Sequence, residues 1–410
     1  MKHLRKFPDA KTRDAVLAIV EYGVLSYTEG EGMSLKPTPP DPKSIPFYID
    51  VRSAVTLAAT SGLQMSTDMT NWTDTTATTL SSGKTYFRVA SDQSTPLKPN
   101  WTEGDNSDYD IGGNINSLVK VNFENDDNCY SFYQSSTGFF KNKNKLKSAG
   151  NLILPATKLT NECYHYMFQR CTALTAAPAL PATTLADYCY SYMFWNCTSL
   201  TTAPALPATT LAQSCYLSMF EGCTSLTTTP ALSATTLADD CYNSMFNGCT
   251  SLTTAPALPA TTLVESCYMN MFYGCTALTA APALPATTLA NNCYNSMLRG
   301  CTSLTTAPAL PATTLATQCY RNMFWGCTSL TTAPVLPATT LANNCYGMMF
   351  FGCTNLNKVT TYAKNISASG CLSNWLNGVS PTGDFYNLGG ATYESGANGI
   401  PTGWTVKNAA

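Results

Sequence analysis

From Cys163 onward the sequence rewrites itself every 26 residues, with cysteines at 163, 189, 215, 241, 267, 293, 319 and 345 and a second Cys eight residues after each. A 26-residue unit is too short to bury its own apolar side chains, so each copy must stack on its neighbour. With the first Cys as position 0, the unit reads C-Y-x-x-M-F-x-G-C-T-S-L-T-T-A-P-A-L-P-A-T-T-L-A-x-x. Cys371 starts a ninth unit in which Val379 replaces the second Cys, and Cys129 with Tyr130 reads as an eroded first unit followed by an insertion. Atypical units at both ends are what a stacked array needs as caps.

Apolar residues at 0, +1, +4, +5 and +8 fall on one face at 100° per residue, which predicts a short helix ended by the Gly at +7. The "SLTTAPAL" that follows is predicted to be extended, with Leu at +11 and Ala at +14 and +16 pointing inward. Proline at +15 has no N–H for a ladder, so only two or three ladder residues per coil are expected. The expected fold class is α+β repeat: a short N-terminal anchor, a small β-sandwich, then a right-handed, leucine-rich-repeat-like solenoid of about 9–10 coils with short strands and short helices.

The flanks set the domain boundaries. Residues 1–33 read as a short anchor, with "TRDAVLAIVEY" as a helix and "GVLSYTEGEG" as a strand and turn. Residues 34–46 form a Pro-rich linker. From 46 to 116 short alternating runs such as "FYIDV", "AVTLAAT" and "KTYFRVA" predict the β-sandwich. The solenoid with its caps takes 117–379, and 380–410 are a capping tail. The N-terminus lacks a clean apolar run and cleavage site, so synthesis and folding in a cytosol are expected, and no 18-residue apolar stretch predicts a membrane span. The 18 cysteines then read as small buried apolar residues in preference to disulfides. A formal charge of −2 and no basic stripe argue against a nucleic-acid partner.

The stretch "MF-x-G-C-T-S-L" followed by an extended run ending in Pro, as at Met219 to Leu226, resembles the BspA-like leucine-rich repeat family of bacterial, protist and phage surface proteins. The resemblance covers about 120–379 and implies a solenoid adhesin. The stretch "NWT…SSGKTYFRVA", then "GNINSL" and repeats, is similar to structural proteins of tailed phages of gut anaerobes. The opening "LRKF…EYGVLSYTEGEG" resembles segments that dock such fibres onto a virion, and "ATYESGANGIPTGWTV" resembles their common ending. These resemblances imply a virion protein folded in the host cytoplasm, with other virion proteins and a host-surface glycan or protein as partners, in a possible homotrimer. A secreted bacterial adhesin on the cell surface and a passive particle decoration are the alternatives.

No catalytic constellation stands out. Of the two histidines, His165 lies at +2, on the outer side of the expected helix, where it reads as a surface residue, and no triad partner is evident. Cysteine spacings of 8 and 18 lack a C-x-x-C, so no zinc is expected. "DNSDYDIGG" (105–113) lacks the distal Glu of a calcium loop and reads as a polar turn. No enzyme activity, cofactor or metal site is expected. One column varies while its surroundings repeat. At +6 stand Gln169, Trp195, Glu221, Asn247, Tyr273, Arg299, Trp325 and Phe351. Exposed aromatics provide rigid contact area at small entropic cost, so the column reads as a binding ridge, widened by Tyr166, Tyr192, Met269 and Arg321. A solvated face free to drift after duplication is the reading preferred over the ridge, because exposure alone permits variation. The invariant Thr-Thr-Pro strip is the rival surface.

Overall fold

The structure, a computed structural model, describes residues 25–28, 32–35, 40–80, 82–104, 107–134 and 137–408. Leu25–Thr28 pairs antiparallel with Gly32–Leu35. The remainder of the expected anchor, including the helix expected over 12–22, and residues 36–39 of the linker lie outside the described residues.

Alternating sequence builds two sheets. In Val55–Ala58, Val55 and Leu57 are buried and Thr56 and Ala58 exposed, the period-2 pattern of a half-buried strand. This strand lies between Thr78–Leu80 and Asn100–Glu103 in a three-stranded antiparallel sheet. A six-stranded sheet runs in the spatial order Leu146–Ile153, Tyr109–Asn114, Tyr48–Val51, Gly83–Val89, Leu63–Ser66 and Thr73–Asp74. Its core holds Phe47, Phe87, Trp101, Tyr109 and Phe140. Leu146–Ile153 pairs in parallel with Tyr109–Asn114. On its other side the Ala149 N–H donates to the Ala176 carbonyl and the Thr175 N–H to the Lys147 carbonyl, both 2.9 Å. One strand therefore belongs both to the N-terminal sheet and to the coil stack, and one apolar core runs from Phe47 to Trp404.

The first nine residues of each unit are not helical, and the α+β expectation with short helices is corrected here. Among the described residues no α-helix occurs, only 3-10 turns at Pro42–Ser44 and Ile115–Leu118. In the first unit, φ is +57° at Glu162, +57° at Tyr166 and +58° at Arg170. A left-handed residue every fourth position cannot sit in a right-handed helix. Instead the N–H groups of Cys163, His165, Met167, Gln169 and Cys171 each close a β-turn onto the carbonyl three residues earlier. Those of Glu162, Tyr164, Tyr166, Phe168 and Arg170 donate one coil ahead, to Asp187, Cys189, Ser191, Met193 and Trp195. Inward positions 0, +1, +4, +5 and +8 suit a period of four as well as 3.6, so over nine residues the turn ribbon imitates an amphipathic helix. The Gly at +7 is a left-handed turn residue, φ +69° to +76° from Gly222 to Gly378, and not a helix terminus.

Along the extended part Leu at +11 is buried as expected, as at Leu252, but beyond it the phase is opposite to expectation. Leu at +17 and Ala at +19 are buried, as in Leu258 and Ala260, and Pro256 is buried beside them while Ala257 at +16 faces out. The long Leu side chain sets the phase, and Ala at +14 is half-buried. Neighbouring coils meet at single bridges, at +13 (Thr202 with Thr228) and at +21 (Thr210 with Thr236). Where Thr360 stands in place of proline the ladder lengthens: Lys358–Thr361, Gly383–Asn387 and Trp404–Asn408 form a parallel three-stranded sheet that ends the stack. In every second unit an Asx side chain adds a bridge. Asp187, Asp239, Asn291 and Asn343 accept from the N–H of Gln213, Glu265, Thr317 and Ser369 at 3.1–3.2 Å.

Inside, like stacks on like. Tyrosines from Tyr164 to Tyr346 lie 5.7–6.1 Å apart. The phenylalanine column runs from Phe168 to Phe272, is interrupted by Leu298, and resumes at Phe324 and Phe350. Phe132 and Phe140, not Tyr130, extend these columns into the N-terminal cap, stacking on Tyr164 and Phe168. Trp375 closes the far end by donating to the Gly399 carbonyl at 2.8 Å. Each +8 thiol donates to the carbonyl of the +5 residue in the preceding coil, as Cys223 does to Phe194 at 3.2 Å.

All 18 cysteines are free thiols, and Cys129 alone is not fully buried. Burial pushes thiols such as Cys189, Cys223 and Cys241 up to about 12, while a hydrogen bond from the Cys163 thiol holds Cys129 below its usual value. Iodoacetamide at mildly alkaline pH should therefore label one cysteine of the native protein, Cys129, and all 18 after unfolding without reductant. Intact mass checks this. Gly326, at φ +73°, has room for a Cβ beside Gly300, so the cost of Gly326→Ala is conformational, about 1–2 kcal/mol. Gly326→Asn should cost less, because Asn visits this region. Urea midpoints test the order.

Candidate functional site

The β-turn ribbon gives the outer edge of each coil its geometry. Position +6 is half-buried in seven coils, while +2 and +3 range from buried, as at Ser191, Ser218 and Asn295, to half-buried, as at Tyr192 and Arg321, and the coil-to-coil hydrogen bonds fix their spacing. The Trp195 carbonyl, for example, accepts from the Arg170 N–H at 2.7 Å. Of the eight column residues, Trp195, Glu221, Asn247, Tyr273, Arg299, Trp325 and Phe351 are half-buried. Gln169 is 3% exposed and does not belong to an open ridge. The insertion of the N-terminal cap covers it. The Asn142 N–H donates to the Gln169 carbonyl at 2.8 Å, and Gly138 passes so close that a Cβ would overlap the Tyr166 carbonyl.

His165 is corrected for the same reason. It is 9% exposed, with the Tyr133 ring at 4.8 Å, Tyr166 at 3.9 Å and Tyr192 at 5.8 Å. Burial pushes its imidazole down to about 4, against a hydrogen bond to the Tyr188 main chain, with the Lys141 charge adding to the depression. Its Nδ1 and the Gln169 Oε1 have no hydrogen-bond partner.

The half-buried part of the column divides into two clusters. Near the N-terminal cap, Arg170 lies over Trp195 at 5.2 Å and Tyr192 meets Trp195 edge-on at 6.1 Å. Arg170 replaces the usual +7 glycine, a departure visible in the repeat, whereas Tyr133 comes from the aperiodic insertion and carries no such signal. Farther along, four successive coils form a continuous ladder. The Arg299 guanidinium lies 3.7 Å over Trp325 and 5.2 Å from Tyr273, and Trp325 meets Phe351 at 4.8 Å and 49°. A cation from the preceding coil lies over the Trp325 ring, and Phe351 of the following coil leans against it at 49°. Between the clusters Glu221 and Asn247 make no ring contact.

The strand-side surface is plainer. Thr201, Thr227 and Thr253 are exposed, and a shallow groove of about 290 Å³ separates Thr313–Leu315 from Thr339–Ala342. In the 105–113 loop, Asp105 and Asn106 lie outside the described residues, while Asp108 pairs with Lys147 at 3.4 Å and Asp110 with Arg52. Among the described residues no group of three or more His, Cys, Asp or Glu is placed to hold a metal ion, and no helix is long and apolar enough to cross a membrane.

Residues 114–279 and 218–357 match the family described as the BspA type leucine-rich repeat region, in six copies. No curated protein matches the chain.

An unfolded histidine takes its proton near pH 6.5, whereas folded His165 stays neutral until about pH 4. The unfolded chain thus binds the proton first, and stability falls as pH drops from 6.5 toward 4. His165→Gln should flatten that slope, read as urea midpoints at about pH 7.5 and about pH 5 in both proteins.

Proposed function

The chain belongs to the BspA-type leucine-rich repeat family, and on that premise we propose that it is an adhesion scaffold of a tailed-phage particle whose varied outer edge engages the host surface. The family is one of surface- or adhesion-type repeats that serve as interaction scaffolds and not as catalysts. The observation that carries the reading is the half-buried ladder of Tyr273, Arg299, Trp325 and Phe351 beside otherwise repeated text. Pre-stacked rings lose little freedom on binding, so contact area converts well to affinity. Short flanking resemblances support the phage setting, in which the N-terminal segment docks on other virion proteins. Seventeen buried free thiols suit folding in a reducing host cytoplasm.

Two measurements test this. Mass spectrometry of purified virions should contain peptides of this chain; finding them only in a bacterial surface fraction would point to a secreted adhesin instead. Trp195→Ala, Tyr273→Ala and Trp325→Ala together should weaken host-cell binding at least about tenfold, since such anchors commonly contribute more than 1 kcal/mol each. A stably folded triple variant that binds unchanged would leave a passive decoration, or the Thr strip, as the reading.

A further inference from the structure

We propose that the part of this edge around Arg299 and Arg321 binds the carboxylates of an acidic polysaccharide, an inference that rests on the adhesive role given to the edge above. The first observation is charge. Between Glu265 and Asp384 the sequence has no Asp or Glu, while the span holds Arg299, Arg321, Lys358 and Lys364. From Glu162 to Glu265, by contrast, six acids face one cation, Arg170. The array is therefore polarised along its length, basic toward the C-terminal end.

The second observation is how these guanidiniums are held. Arg299 is clamped between Tyr273 and Trp325, and among the described residues no carboxylate or carbonyl accepts from it. Arg321, one coil further on, donates only to Gln318 Oε1 at 3.1 Å. Stacking fixes the plane of Arg299 without using its N–H donors, which leaves a preorganised fork matched to a carboxylate. The ring rims beside it carry the positive edge of the aromatic quadrupole, so the surroundings also favour an anion.

The third observation is spacing. On this edge the Trp325 and Phe351 rings of successive coils lie 4.8 Å apart, and core rings of successive coils lie 5.4–6.1 Å apart. A pyranose with its bridging oxygen, made of bonds of about 1.5 Å, repeats at roughly 5 Å. An extended peptide advances about 3.3 Å per residue and does not keep this step. Single-stranded nucleic acid is held by stacking on open ring faces, and the Trp325 ring already carries Arg299 over it. Arg299, at +6, and Arg321, at +2, stand on neighbouring coils, so carboxylates borne along one acidic chain would be shared between them.

Calorimetry on the full chain decides it, with oligogalacturonate and its methyl-esterified form as probes, because the two share a backbone and differ in charge. The acidic form should bind at least about tenfold more tightly than the ester and weaken as salt rises. Arg299→Gln with Arg321→Gln should lose at least about tenfold while keeping the wild-type urea midpoint, and Arg299→Lys should lose part, for want of the fork. Equal binding of acid and ester, no binding of the acid, an unaffected double variant, or tighter binding of a phosphopeptide or an oligonucleotide would overturn the proposal. If oligogalacturonate fails while the triple aromatic variant still abolishes host-cell binding, the adhesive edge stands and only its ligand class falls. Binding of oligogalacturonate with unchanged cell adhesion would separate the two the other way.

Discussion

The structure depends on the division of backbone donors along nine residues of each unit. One N–H closes a turn within its own coil and the next reaches into the following coil, from Glu162 through Cys171 and again in each copy. Buried main-chain groups must all be paired, and this alternation pairs them while holding every coil at a fixed step from its neighbour. A helix would keep its hydrogen bonds to itself and leave stacking to side chains alone. Here the stacking is written into the main chain, and the left-handed residues at −1, +3 and +7 are its geometric cost.

The side-chain columns follow from that fixed step. Each core column repeats one chemistry, Leu298 in the phenylalanine column excepted, because every residue in it meets its own counterpart one coil away. Tyr packs on Tyr and Phe on Phe, and each +8 thiol reaches a carbonyl of the coil before. The outer edge is freed from that rule, so it alone tolerates Glu221, Arg299 and Trp325 in equivalent places. Its residues nonetheless stack, because the same step that spaces the core also spaces the edge. Arg299 sits between two rings for that reason, and the adhesive reading rests on this enforced preorganisation.

The ends show what happens when the rule lapses. Loss of proline at Thr360 lets single bridges grow into a three-stranded sheet that closes the C-terminal end. At the N-terminal end, Leu146–Ile153 serves two sheets at once, so the N-terminal sheets and the array share one core. The Gly138 strap that crosses the first coil hides His165 and Gln169, and the open part of the edge starts at Trp195.

By itself the sequence determined the period, the inward columns and the limit that proline sets on strand length, because each follows from spacing and from the chemistry of single residues. It also marked the +6 column as the place where the text varies. Only the tertiary structure decided that the apolar stretch is a turn ribbon and not a helix, since periods of 4 and 3.6 cannot be told apart over nine residues. That Leu at +17 and not Ala at +16 points inward was likewise settled by packing. The burial of Gln169 and the clamping of Arg299 depend on which chain segment lies across or beside each residue in space, one on an aperiodic insertion and the other on neighbours 26 residues away. Local pattern carries no record of either contact.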